Sequence, residues 1–259
     1  MLYNDSFKVQ AFYKLHQAYL LQQKHLNRPF LKYFDLDALQ LAKVSHPHLK
    51  QYLEPTIPIL DFINNNINNR HYKQPNLFIY SHLPDTGKSS LFNLIADLTP
   101  NYFWPLDLWY EAYFNDTYQT IVWDEFSLKG QNPEFIKLLL AGTEIQLQKK
   151  GSQVLKRDNP LFLLASNHSL RHLVKKKIQF FCECPSNDLD LHSICNHGPT
   201  CRPNTDADSL YKALLARLHV FHIHTPLFPN GASQPELWEE YNLLLRNSAI
   251  FQDPNNKTI

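Results

Sequence analysis

The sequence predicts an α/β protein, a parallel sheet flanked by helices with a helical region ahead of it. Three observations carry this. From residue 76 onward, short apolar runs alternate with helical patterns, the order of a parallel sheet whose crossovers are helices. A Gly-Lys-Ser stands between the first such run and the first such helix, in "LFIYSHLPDTGKSSLFNLI" (residues 77–95). Before residue 76 the texture is helical and rich in aromatic residues.

Residues 1–73 form the helical region, a packing layer or an oligomerisation domain. "FKVQAFYKLHQAYLLQQKHL" carries Phe12, Leu15 and Leu20 at helical spacing, and "IPILDFINNNI" repeats the pattern. Pro55 and Pro58 mark a boundary between helices, and "NNRHYKQPN" reads as a loop. Residues 74–259 form the second unit. Its strands are "NLFIY", "YFWPL", "QTIVW", "LFLLAS" and "LHVFHI", and its helices begin at Lys88, Glu134, Ser169 and Asp208. Cys, His, Pro and Asn interrupt the alternation at about residues 181–206, which reads as an insertion. "QPELWEEYNLLLRNSAIF" is a last helix and "QDPNNKTI" a frayed end.

Apolar residues make up 44% of the 259 and charged residues 19%, enough to build a real core. The net charge of +1 excludes a broadly basic nucleic-acid coat, so contact with a polyanion must come from local clusters. No apolar run approaches the roughly 20 residues of a membrane span, and the first residues do not read as a basic-then-apolar leader, so none is expected. The expectation is a soluble intracellular protein without a membrane partner.

The Gly-Lys-Ser has the context of a phosphate-binding loop, in which backbone N–H groups and a helix N-terminus converge on phosphates. Gly87 allows the close approach, Lys88 supplies positive charge and the Ser89 hydroxyl can ligate Mg²⁺. Pro84, Asp85, Thr86 and Ser90 complete the loop. The glycine that usually opens it, five positions before Gly87, is His82. That position is expected to need a sharp turn at positive φ, which histidine tolerates at a cost.

The next motif lies roughly 35 residues on. "TIVWDEF" places Asp124 and Glu125 at the end of an apolar strand, where carboxylates cost desolvation energy unless they serve a cation or a water. Asp124 can hold Mg²⁺ through water, and Glu125 can polarise an attacking water. "PLFLLASNHS" then ends a third apolar strand in Asn167, which can orient that water against a γ-phosphate. Together these predict a working nucleotide site that hydrolyses a γ-phosphate.

Lys149, Lys150, Lys156 and Arg157 sit in an alternating frame that predicts a basic hairpin turning near Gly151. Arg171, Lys175, Lys176 and Lys177 follow Asn167. Both clusters suit a groove for phosphates, with a solvated charged face as the alternative. All four cysteines, Cys182, Cys184, Cys195 and Cys201, fall in the insertion beside His192 and His197. Four N or S ligands would hold a structural Zn²⁺, while free thiols remain the other reading.

The ordered set "TGKS", "VWDEF", "QKKG" and "LLASN" resembles superfamily 3 helicases of small DNA viruses and plasmids. It is most similar to the helicase domain of rolling-circle replication initiators (Rep proteins) of circular single-stranded DNA viruses. The resemblance covers about residues 76–225. It implies an AAA+-like P-loop NTPase fold, ATP and Mg²⁺ as cofactors and single-stranded DNA as partner. It also implies a ring of identical subunits, hexameric in this family, and a location in the host nucleus or cytoplasm. Gly87, Lys88 and Ser89 match the phosphate loop, Asp124 and Glu125 the acidic pair, and Asn167 the polar motif. Lys150 and Gly151, with Lys149 beside them, match a hairpin that touches DNA, and Arg217 stands where the family carries an arginine finger. The sequence departs from Rep loops at His82 and Asp85, and the nuclease half of Rep proteins has no counterpart here. His222 and His224 lack a neighbouring Tyr-x-x-Lys, so nuclease function is not expected and a separate nuclease or replication protein is implied. An ATPase acting on RNA or protein, or a non-catalytic scaffold with a degraded loop, are the alternatives.

Overall fold

The computed structural model describes residues 28–104, 118–149, 152–156, 158–178 and 205–252. Their centre is a five-stranded sheet of β2 (Asn76–Tyr80), β3 (Asn101–Phe103), β4 (Thr120–Trp123), β7 (Leu161–Ser166) and β8 (Leu218–His222). The strands lie in the order β3-β4-β7-β2-β8, and every neighbouring pair is parallel. Parallel pairing needs crossovers, and helices supply them on both faces.

The alternation of side chains along each strand divides the core in two. Leu77, Ile79, Val122, Leu163 and Ala165 face one way. They pack under α1 (Leu36–Ser45), α2 (Lys50–Asn66), α3 (Lys88–Leu98) and α7 (Pro235–Asn247). Phe78, Ile121, Trp123, Phe162 and Leu164 face the other way, under α4 (Pro133–Leu140), α5 (Leu170–Ile178) and α6 (Thr205–Leu215). The arrangement is α/β, as the sequence predicts. Residues of α1 and α2 share one core with the sheet.

Two elements depart from expectation. Pro55 and Pro58 do not separate helices; both lie inside α2. A proline at position i frees the carbonyl at i−4, here Gln51 and Glu54, and those two residues are exposed. The opposite face buries Leu53, Ile57, Ile59, Leu60 and Ile63, so core burial overrides the local penalty. The second departure joins the first and last strands among the described residues. β1 (Leu31–Phe34) pairs antiparallel with β9 (Ala249–Phe251), so strand replaces helix in both regions.

β5 (Ile145–Lys149) and β6 (Ser152–Lys156) form the expected hairpin, with Lys149 opposite Ser152. Lys150, Gly151 and Arg157 lie outside the described residues, as do the segment 7–26 and the insertion with its four cysteines. Lys156, grouped with the basic cluster on sequence, is fully buried opposite Ile145 and offers no charge to solvent there.

Candidate nucleotide site

Three adjacent parallel strands, β4, β7 and β2, end at the same edge of the sheet. Tyr80 pairs in register with Ser166 and Trp123 with Leu164. The residues that leave these ends are therefore neighbours: the loop 81–87 after β2, Asp124 and Glu125 after β4, and Asn167 after β7. Clefts at the carboxyl ends of parallel strands are where such sheets bind ligands. Here they open into a cavity of about 370 Å³ lined by Pro84–Ser90, Asp124, Glu125, Ser166 and Asn167. The sequence-predicted loop, acidic pair and asparagine meet in this one space.

The loop is built for an anion. Gly87, at φ +78°, is the N-cap of α3, and no side chain caps that helix. Its first N–H groups point toward the cavity end without a side-chain acceptor, the arrangement that favours phosphate. Lys88 opens the helix, is largely buried, and donates from Nζ to Thr86 Oγ1 at 3.1 Å. Burial pulls its ammonium below the usual lysine range, while Asp124 and then Asp85 push it back up. A desolvated cation between carboxylates gains when a phosphate arrives.

The strain of the loop does not fall where the sequence suggests. His82 has no positive φ; Asp85 carries it, at φ +53°. Asp85 occupies the place of the second glycine of Rep-type loops, and aspartate is among the side chains that enter this region most readily. His82 instead packs its ring edge-on to Tyr80 (5.7 Å) and His222 (5.6 Å). The expectation of a positive φ at His82 is therefore corrected.

The acidic pair is also bent. Asp124 is half-buried and its Oδ1 accepts from the N–H of Glu125 at 3.1 Å. Glu125 is exposed and sits at φ +55°. A left-handed glutamate costs on the order of 1–2 kcal/mol, the kind of strain that collects at functional sites. The next residue re-anchors the chain, because Phe126 N–H donates to the Ala165 carbonyl at 2.6 Å. Glu125 is thus turned out of the strand and left beside the cavity.

Sequence reasoning missed one wall. Phe228, Pro229, Asn230, Gly231 and Trp238 also line the cavity. They follow β8, and Leu227 N–H donates to the Thr86 carbonyl at 2.8 Å, tying this strap to the loop. A Cβ on Gly87 would stand 2.8 Å from Phe228 N and Cβ, so glycine is needed for the contact. The Asn230-Gly231 pair is a turn signal, and Trp238 reads as core in an amphipathic helix. Neither points to a ligand until the fold places them.

Other expected residues lie elsewhere. Arg217 sits at the start of β8, the end of the strand away from the cavity, and donates to the Ala213 carbonyl at 2.5 Å. It cannot reach the cavity of its own chain. His222 and His224 bring their rings to 3.8 Å, and Tyr80 stacks on His222 at 4.3 Å. Among the described residues no group of three or more His, Cys, Asp or Glu side chains is placed to hold a metal ion. None of the described helices is long and apolar enough to cross a membrane.

Residues 66–181 match the family described as parvovirus non-structural protein NS1. The matched span holds the phosphate loop, the acidic pair, the hairpin and Asn167, and stops before Arg217, the strap and Trp238. No curated protein matches the chain.

Proposed function

We propose that this chain is the ATP-hydrolysing motor of a viral replication initiator, a superfamily 3 helicase that moves on single-stranded DNA. The observation that carries the proposal is the meeting of Lys88, Ser89, Asp124, Glu125 and Asn167 in one cavity, at the ends of three adjacent parallel strands. Similarity to a family of viral replication initiators supports DNA as the polymer.

The roles follow from chemistry. Lys88 and the uncapped start of α3 bind the β- and γ-phosphates. The Ser89 hydroxyl and the Asp124 carboxylate are hard oxygen donors in the same cavity, a set that fits Mg²⁺, which would neutralise phosphate charge when bound. Glu125 accepts the proton of the attacking water, and Asn167 orients that water. Arg217, placed away from its own cavity, completes the site of a neighbouring copy in a ring. Lys149, Lys150 and Gly151, assigned on sequence grounds, contact the strand. A structural Zn²⁺ on Cys182, Cys184, Cys195 and Cys201 belongs to the proposal on sequence grounds alone.

The test is ATP hydrolysis by the purified chain with and without single-stranded DNA, and with RNA in its place. Stimulation by DNA over RNA is expected. Lys88→Ala should abolish turnover, and Glu125→Gln should bind ATP while losing turnover. Wild-type turnover in Glu125→Gln would remove Glu125 from its role. One observation favours the scaffold alternative: a single ammonium faces three carboxylates (Asp85, Asp124, Glu125) among the described lining residues. A wild-type chain that binds no Mg-ATP at equilibrium would decide for it.

A further inference from the structure

The cavity has two chemically distinct halves. Every charged side chain among its lining residues lies on the phosphate side, at Asp85, Lys88, Asp124 and Glu125. The strap and Trp238 contribute none. A ligand that matches both halves carries a polyanion at one end and an uncharged, flat head at the other.

The uncharged wall is rigid. Asn230 Oδ1 accepts from the N–H groups of Ala232 (2.9 Å) and Ser233 (3.3 Å), and its carbonyl accepts from Gln234 N–H at 2.8 Å. The turn is therefore locked onto the start of α7. Trp238, in the first turn of that helix, is half-buried with its body against the core. Gly231 faces it. A Cβ there would stand 3.4 Å from indole Cδ1 and Cγ and 3.7 Å from Nε1. Gly231 does not lie at positive φ, so the backbone does not demand glycine. What its missing side chain provides is room over the indole.

We infer that Trp238, left open by Gly231, is the platform on which the nucleobase stacks, and that it favours purine over pyrimidine nucleotides. This rests on the phosphate site proposed above. Stacking grips a ring by its area, so the larger purine is held more tightly, while adenine and guanine are poorly told apart. The Asn230 side-chain oxygen is already engaged by two N–H groups, so it does not serve as an acceptor for base edges.

The experiment measures binding of Mg-ATP, Mg-GTP, Mg-CTP and Mg-tripolyphosphate to the full chain and to Trp238→Ala, Trp238→Phe and Gly231→Val. The wild type should bind ATP and GTP alike and CTP more weakly. Trp238→Ala and Gly231→Val should each weaken ATP by about 10-fold, the scale of one aromatic–base stack, and leave tripolyphosphate unchanged. Trp238→Phe should recover most of the loss, and the losses should appear in KM rather than kcat. Wild-type ATP affinity in both Trp238→Ala and Gly231→Val would overturn the platform. So would a parallel loss of tripolyphosphate binding in both, which would make the wall a structural prop. A wild type that binds tripolyphosphate as tightly as ATP keeps the phosphate site and removes the platform. One that binds neither removes both.

Discussion

Replacing Asp85 separates two effects of one residue, its charge and its backbone. Asp85 is exposed, lies at φ +53° and pushes the Lys88 ammonium up, so its carboxylate is felt at the proposed phosphate site. Asp85→Asn removes the charge and keeps a side chain that tolerates the left-handed region. At this exposed position one like-charge interaction with the triphosphate is worth about 1 kcal/mol, or roughly 5-fold in affinity. Asp85→Gly removes the same charge and also about 1 kcal/mol of backbone strain, nearly offset by the greater freedom of glycine in the unfolded chain. Both variants should therefore bind Mg-ATP roughly 3- to 10-fold more tightly with little change in stability. Titration calorimetry at low and high salt checks this, and the gain should shrink at high salt as the charge is screened. Weaker binding by Asp85→Asn would refute the reasoning and make the carboxylate a ligand rather than a tolerated repulsion. A gain in Asp85→Gly alone would assign the effect to the backbone.

Gly87→Ala should cost about 2–4 kcal/mol, from a left-handed backbone and a 2.8 Å contact with Phe228, and should abolish ATP binding. Thermal unfolding and nucleotide binding read the two losses separately. Mixing Arg217→Ala with Lys88→Ala chains should restore part of the lost hydrolysis, since each supplies what the other lacks; full activity of Arg217→Ala alone would end the finger role. His82→Gly should leave ATP affinity unchanged and lower the melting temperature slightly, because it removes ring contacts and relieves no positive φ. Desolvation, then His224 and His82, hold His222 below the usual histidine range. The unfolded chain therefore takes up that proton first, so stability should fall as pH drops through about 6.5 toward the folded value. His222→Asn should show a smaller drop than the wild type in melting scans across that window.

The sheet was legible because its strands are short apolar runs closed by turn residues, and burial on both faces produces that pattern directly. That the loop before α3, the acidic pair and Asn167 share one cavity could be anticipated because each sits one step beyond such a run. α2 was not, because the sequence shows two prolines but not that both fall on the solvent face, at the positions following the exposed Gln51 and Glu54 by four. The β1–β9 pair was hidden for another reason. Leu31 and Phe251 are 220 residues apart in a chain of 259, and no local pattern reports such a pairing. His82 shows a different limit: the motif located the altered loop, but only the backbone shows that Asp85 takes the left-handed turn.

The pairing of β1 with β9 is reinforced nearby. Gln252 N–H donates to the Phe30 carbonyl at 2.9 Å, and Arg28 and Arg246 both hold Asp97, at 3.0 and 2.7 Å. The start and the finish of the described fold are thus knotted at one corner, through a shared aspartate on α3, the helix that begins at Lys88. Cloning boundaries inherit this geometry. A truncation that removes Ala249–Phe251 also strips β1 of its partner, and one that removes β1 leaves Ile250 and Phe251 without theirs. Two fluorophores placed at residues 30 and 252 would report the closure of that corner from a single short distance, and a domain fused at either point would leave from the same spot on the surface.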